Sequence, residues 1–138
     1  MESQTADQTK TMTMENLVIQ GTEDTPGIIL DRENCLISIS GRSLPEDVTV
    51  FYQPVFDWLN LLKENKPEEL TMEVKLEYFN TASSKILLDI FMVLEEMCDG
   101  VESRAKVKWH YDENDEDMLE AGEEYKEIVA IEFEMVGY

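Results

Sequence analysis

The stretch that most constrains this chain is VKLEYFNTASSKILLDIFMVLEEM, Val74 to Met97, because the period of its apolar residues changes partway along. Val74, Leu76 and Tyr78 alternate with Glu73, Lys75 and Glu77, which is the two-residue repeat of a strand with one buried face. Ile86, Leu87, Ile90, Phe91, Leu94 and Met97 then recur at three- and four-residue spacing, which is one face of a helix. The change falls at Asn80-Thr81-Ala82-Ser83-Ser84, so a strand runs directly into a helix N-terminus lined with small hydroxyl residues. The first amides of a helix lack internal partners and carry partial positive charge. Thr81 at that joint has two readings. It is an N-cap that satisfies those amides, or it is a phosphoacceptor whose added charge the helix end stabilises.

The elements on either side can be read in the same way. Residues 1–14 are polar, without apolar period, and read as a disordered tail; residues 15–138 read as a single domain. Two apolar runs, Leu17 to Ile19 and Ile28 to Leu30, are separated by a segment containing Gly21, Pro26 and Gly27. Asp31 to Asn34 then reads as a hairpin turn into a strand, Cys35 to Ser40, that ends at Gly41. Ser43-Leu44-Pro45-Glu46-Asp47 reads as a helix start, with the helix continuing to about Asn65 and kinked or broken at Pro54. Its apolar face is Val48, Phe51, Tyr52, Val55, Trp58, Leu59 and Leu62. Lys66-Pro67 separates it from the strand Leu70 to Phe79, and the helix from Thr81 to about Asp99 has Gly100 as its C′ glycine. Ala105 to Tyr111 is the next strand. The acids of Asp112 to Asp117 open a third helix with an inner stripe of Met118, Ala121, Gly122, Tyr125 and Val129. Residues 130–136 close the chain as a strand with Ile131, Phe133 and Met135 inside.

Alternating strands and helices imply parallel pairing. Parallel strands covered on both faces read as continuous apolar runs, whereas these alternate, so one face of the sheet is open and polar. The expected fold is a two-layer α/β domain: a mixed, mostly parallel sheet with an N-terminal antiparallel hairpin and helices mainly on one face.

Charge and composition narrow the function. A net charge of −20 over 138 residues repels phosphate backbones and anionic headgroups, which argues against nucleic acid and membrane as partners. The start of the chain does not read as a signal peptide, and Cys35 and Cys98 form no CxxC pattern and read as reduced thiols of a cytoplasmic protein. Two alternative functions are visible. An enzyme would need His110, the one histidine, to face a serine or aspartate, and no GxSxG elbow is present. A calcium site would use Asp112, Asn114, Glu116, Glu120 and Glu123, whose offsets are those of an EF-hand, but Asp117 stands where the loop needs glycine. Trp58 and Trp109 lie on apolar faces and read as core. No cofactor is expected.

GTEDTP near the start, Asp57-Trp58-Leu59, the YFNTASSK joint and Trp109 to Asp112 (WHYD) occur in that order. In this the chain, from about residue 17 to its end, resembles the SiaC family of bacterial regulatory phosphoproteins. The resemblance implies a fold like that of the anti-anti-sigma (STAS-like) regulators and a role as a non-enzymatic switch in a partner-switching circuit. In that family a dedicated protein kinase phosphorylates the threonine of the NT segment and a PP2C-type phosphatase reverses it, which by resemblance makes Thr81 the expected acceptor here. The unmodified form binds a downstream effector, in one known case a diguanylate cyclase. Asn80, Ala82, Ser83, Ser84 and Lys85 are then the expected docking residues; Ala82 stands where the family often has serine.

Overall fold

The computed structural model describes residues 15–98 and 104–138. The tail, residues 1–14, and Gly100 lie outside the described residues. Six strands form one sheet in sequence order: β1 (Leu17–Ile19), β2 (Gly27–Asp31), β3 (Leu36–Ser43), β4 (Glu69–Phe79), β5 (Arg104–Tyr111) and β6 (Glu132–Gly137). β1, β2 and β3 are antiparallel to one another, and β3 through β6 run parallel. Helices α1 (Val48–Lys63), α2 (Thr81–Met97) and α3 (Glu116–Ile128) connect the parallel strands.

The open-face expectation holds, and the strand register shows why. Leu70, Met72, Val74 and Leu76 of β4 are buried with Ile37 and Ile39 of β3 and Val107 and Trp109 of β5, and the helices supply Tyr52, Val55, Leu59, Leu62, Leu87, Ile90, Phe91 and Leu94 to the same core. The alternate positions form the polar face. There Glu73 lies opposite Lys108, and Lys108 opposite Glu134. Lys106 reaches Glu134 at 3.2 Å and Glu132 at 3.7 Å. These surface pairs alternate charges of opposite sign across the face, and each adds little stability.

Four local expectations are corrected. β3 does not end at Gly41 but continues to Ser43 through an irregularity in register between Gly41 and Arg42. Gly41 has φ +104°, a conformation that side chains disfavour. That irregularity also ends the alternation of β4. Tyr78 lies opposite Arg42 and is exposed, with the Arg42 guanidinium 5.6 Å from its ring centroid. Phe79 turns inward instead and packs edge-on against Trp109, the centroids 5.9 Å apart. α1 starts later than Ser43, at Val48, because the Asp47 carboxylate accepts from the Val50 amide and caps it. It also runs unbroken past Pro54, whose neighbours Tyr52, Val55 and Trp58 are all buried and hold the helix on both sides of the lost hydrogen bond. Trp58 and Trp109 are both core residues, 5% and 0% exposed.

Candidate functional site: the first turn of α2

β4 delivers the chain to α2 with one residue between them. Asn80 is extended (φ −87°, ψ 176°) and is the N-cap: its side chain accepts from the Ser83 amide at 2.8 Å. Its own amide donates to the Ser43 carbonyl at 3.1 Å, and its carbonyl accepts from the Ser84 amide at 3.0 Å. The cap is therefore Asn80 and not Thr81. Asparagine is as good a cap as threonine, and an extended residue one position earlier meets the geometry. Thr81 is the first residue of the helix and is exposed. No acidic residue lies in this first turn. The amides of Thr81 and Ala82 have no partners within the helix, so the turn presents partial positive charge with no acid of its own to meet it.

The three hydroxyls of the turn differ sharply. Ser83 is 0% exposed. It donates to the Ser43 carbonyl at 3.0 Å, so its oxygen accepts from the Ser43 hydroxyl at 2.8 Å, and the Ser43 hydroxyl in turn accepts from Tyr52 at 2.7 Å. Each hydroxyl has one proton, so only this order satisfies all three. Burial pushes the Tyr52 phenol up to about 12, against the opposing bond to Ser43. Ser84 is half-buried. Tyr125 of α3 donates to the Ser84 carbonyl at 2.8 Å and therefore accepts from the Ser84 hydroxyl at 3.0 Å. Burial raises the Tyr125 phenol too. For the Thr81 hydroxyl there is no hydrogen bond among the described residues.

The expected docking residues thus separate. Thr81, Ala82 and Lys85 are exposed and Asn80 is half-buried. Ser83 is removed from any docking surface by burial, and Ser84 is half-buried with its hydroxyl engaged by Tyr125. Both hydroxyls make bonds within the domain. Ser43, Tyr52 and Tyr125 were missed as partners of the site. One signal pointed to the tyrosines: a tyrosine on an apolar stripe needs a partner for its hydroxyl.

The other candidate residues are placed elsewhere. His110 bonds Glu73 across the open face at 3.1 Å, while Ser83 and Ser84 have Ser43 and Tyr125 as partners. In the acidic segment, Asp112 accepts from the Asn114 amide at 2.8 Å and Asp115 caps α3. Glu116, Glu120 and Glu123 are exposed along α3. Among the described residues no group of three or more His, Cys, Asp or Glu is arranged to hold a metal ion, and no helix is long and apolar enough to cross a membrane.

Comparison with known proteins places the fold and the family. An uncharacterized protein of Pseudomonas aeruginosa strain UCBPP-PA14 is 33% identical over 120 residues, covering 87% of this chain and 94% of the relative. The crystal structure of apo-SiaC from Pseudomonas aeruginosa is similar with a TM-score of 0.81 at 31% identity, over 88% of this chain and 98% of that one. The structure of the diguanylate cyclase SiaD in complex with its activator SiaC, from the same organism, matches with a TM-score of 0.83 at 32% identity, over 88% and 99% of the two chains. Residues 19–138 match the family model described as SiaC family regulatory phosphoprotein, and the chain belongs to that family.

Proposed function

We propose that this chain is a non-enzymatic cytoplasmic switch, phosphorylated on Thr81 by a dedicated kinase and restored by a PP2C-type phosphatase. Its unmodified form binds an effector protein through Asn80, Thr81, Ala82 and Lys85. The diguanylate cyclase bound by the Pseudomonas aeruginosa activator SiaC makes a cyclase the first effector to try. The observation that carries the reading is the exposed Thr81 hydroxyl at the start of α2, beside two serines whose hydroxyls are already bonded.

Phosphorylation adds roughly −1.5 to −2 charges and three acceptor oxygens. At the α2 N-terminus the anion is favoured by about 0.3–1 kcal/mol, so the domain keeps its fold. The rim it creates is another matter for a partner. A surface that covered neutral Thr81 would have to bury a dianion, which costs several kcal/mol unless a cation meets it. A loss of about 3–4 kcal/mol is a roughly 200- to 1000-fold weaker complex. The test of the acceptor is incubation with the kinase and ATP, followed by intact mass. The wild-type chain gains one phosphoryl group and Thr81→Ala gains at most a trace; an equal gain by both removes Thr81 from the reading.

A further inference from the structure

Ser83 and Ser84 are both held, but by different means. Ser83 is fully buried, with its hydroxyl held by Ser43. Ser84 is only half-buried, and what engages its hydroxyl is a single group from another helix, the Tyr125 phenol. The order of protons in that ring is fixed: Tyr125 gives its proton to the Ser84 carbonyl, so Ser84 gives its own to Tyr125.

We infer that Tyr125 is the specificity-determining residue of the modification site: its hydroxyl, carried on α3, withholds Ser84 from the kinase and leaves Thr81 as the acceptor. This rests on the reading of Thr81 as the phosphoacceptor. In the transfer, the acceptor oxygen forms a bond to the γ-phosphorus of ATP as the bond to the departing ADP oxygen breaks, and the hydroxyl proton passes to a base on the kinase. A hydroxyl whose proton is committed to Tyr125 must first break its ring. Thr81 has no such ring to break. Tyr125 also packs edge-on against Phe91, centroids 5.1 Å apart, and tilted against Trp109 at 5.3 Å. Tyr125→Phe removes the hydroxyl and keeps both ring contacts, so the fold is retained.

The experiment uses the full chain, a soluble extract of the source cells as the kinase, ATP as donor, and tandem mass spectrometry of the peptide containing residues 80–85. Wild type and Thr81→Ser take the phosphate at position 81, and Thr81→Ala takes only a trace in the turn, about a tenth of what the double variant below takes. Thr81→Ala combined with Tyr125→Phe takes it on Ser84, a rise of about tenfold in Ser84 occupancy, the size expected when one hydrogen bond no longer opposes the reaction. Thr81→Ala with Phe91→Leu loosens the same packing but keeps the phenol, and leaves Ser84 at the same trace. The inference is overturned if Ser84 stays unmodified in the double variant while wild type is modified at Thr81. It is overturned equally if Thr81→Ala alone is modified at Ser84 to the same extent as the double variant, or if Phe91→Leu releases Ser84 as well as Tyr125→Phe does. A wild-type chain that takes no phosphate in the turn sinks the Thr81 reading itself, and the inference with it.

Discussion

α2 and α3 both begin where a parallel strand ends, yet they settle their positive ends in opposite ways. α3 has an aspartate cap, Asp115, with Glu116 and Asp117 in its first turn. Its dipole is met by charges fixed in the sequence. α2 has a neutral cap, Asn80, and no acid in its first turn. The anchors differ as well. α2 is pinned at its very start, through Ser83 in the core and Ser84 on Tyr125. The first turn of α3 is covered to the same degree, with Met118 buried at the third position as Ser83 is in α2. Its anchor is a ring and not a set of hydroxyls: the Trp109 indole donates to the Met118 carbonyl at 3.0 Å and Gly122 packs on the same ring. On the proposed reading, the α2 end of this acidic chain is left without acid so that a charge can be added there later. Such an end needs a rigid first turn, so that the added charge alters the surface and leaves the fold in place.

This contrast can be attacked by mutation. The largest effect is expected in the body of α3. A Cβ at Gly122 would stand 2.5 Å from Trp109 Cδ1 and 2.7 Å from the Met135 methyl. Trp109 is fully buried and cannot retreat, so Gly122→Ala costs about 1–3 kcal/mol, toward the upper end, by chemical denaturation. Close behind comes the first turn of α2. Ser83→Ala leaves the Ser43 hydroxyl without its acceptor inside the core and costs about 1–3 kcal/mol. A Ser83→Ala melting temperature equal to wild type would show that α2 is not pinned there.

The caps come next. Asn80→Ala and Asp115→Ala each cost about 1 kcal/mol. Only the Asp115 loss shrinks with added salt, because only that cap is charged. Equal salt dependence of the two would erase the distinction between a neutral and a charged helix end. The smallest effect is the most pointed. Thr81→Asp stabilises the chain by about 0.3–1 kcal/mol at low salt, and Glu116→Gln on α3 destabilises it by about the same amount. If Thr81→Asp lowers the melting temperature, the α2 end is not the vacant positive site described.

Much of this was legible in the residues. The alternation through Val74 and Leu76 set β4, and the change of period placed α2. The polar positions between the apolar ones left one sheet face open, so the sequence order of the parallel strands followed. Periodicity carried these because each reflects burial of one continuous face. Tyr78 escaped the pattern because β4 carries one extra residue, Glu77, opposite the Gly41–Arg42 step of β3, and no alternation in the sequence marks that pairing. The choice of Asn80 over Thr81 as cap depended on backbone angles at one residue. The hydroxyl rings were the least legible part, since Ser83 meets Ser43 and Ser84 meets Tyr125 across 40 and 41 positions of chain. No local spacing encodes those pairings; the packing of α2 against β3 and α3 does.

The most direct measurement is a titration of the effector, a diguanylate cyclase in the first instance, with the unmodified chain and with the same chain carrying phosphothreonine at position 81, circular dichroism being recorded on both. The account predicts superimposable spectra and an affinity reduced by about 200- to 1000-fold in the phosphorylated chain. Equal affinities, or a loss of binding accompanied by loss of helical signal, would contradict it.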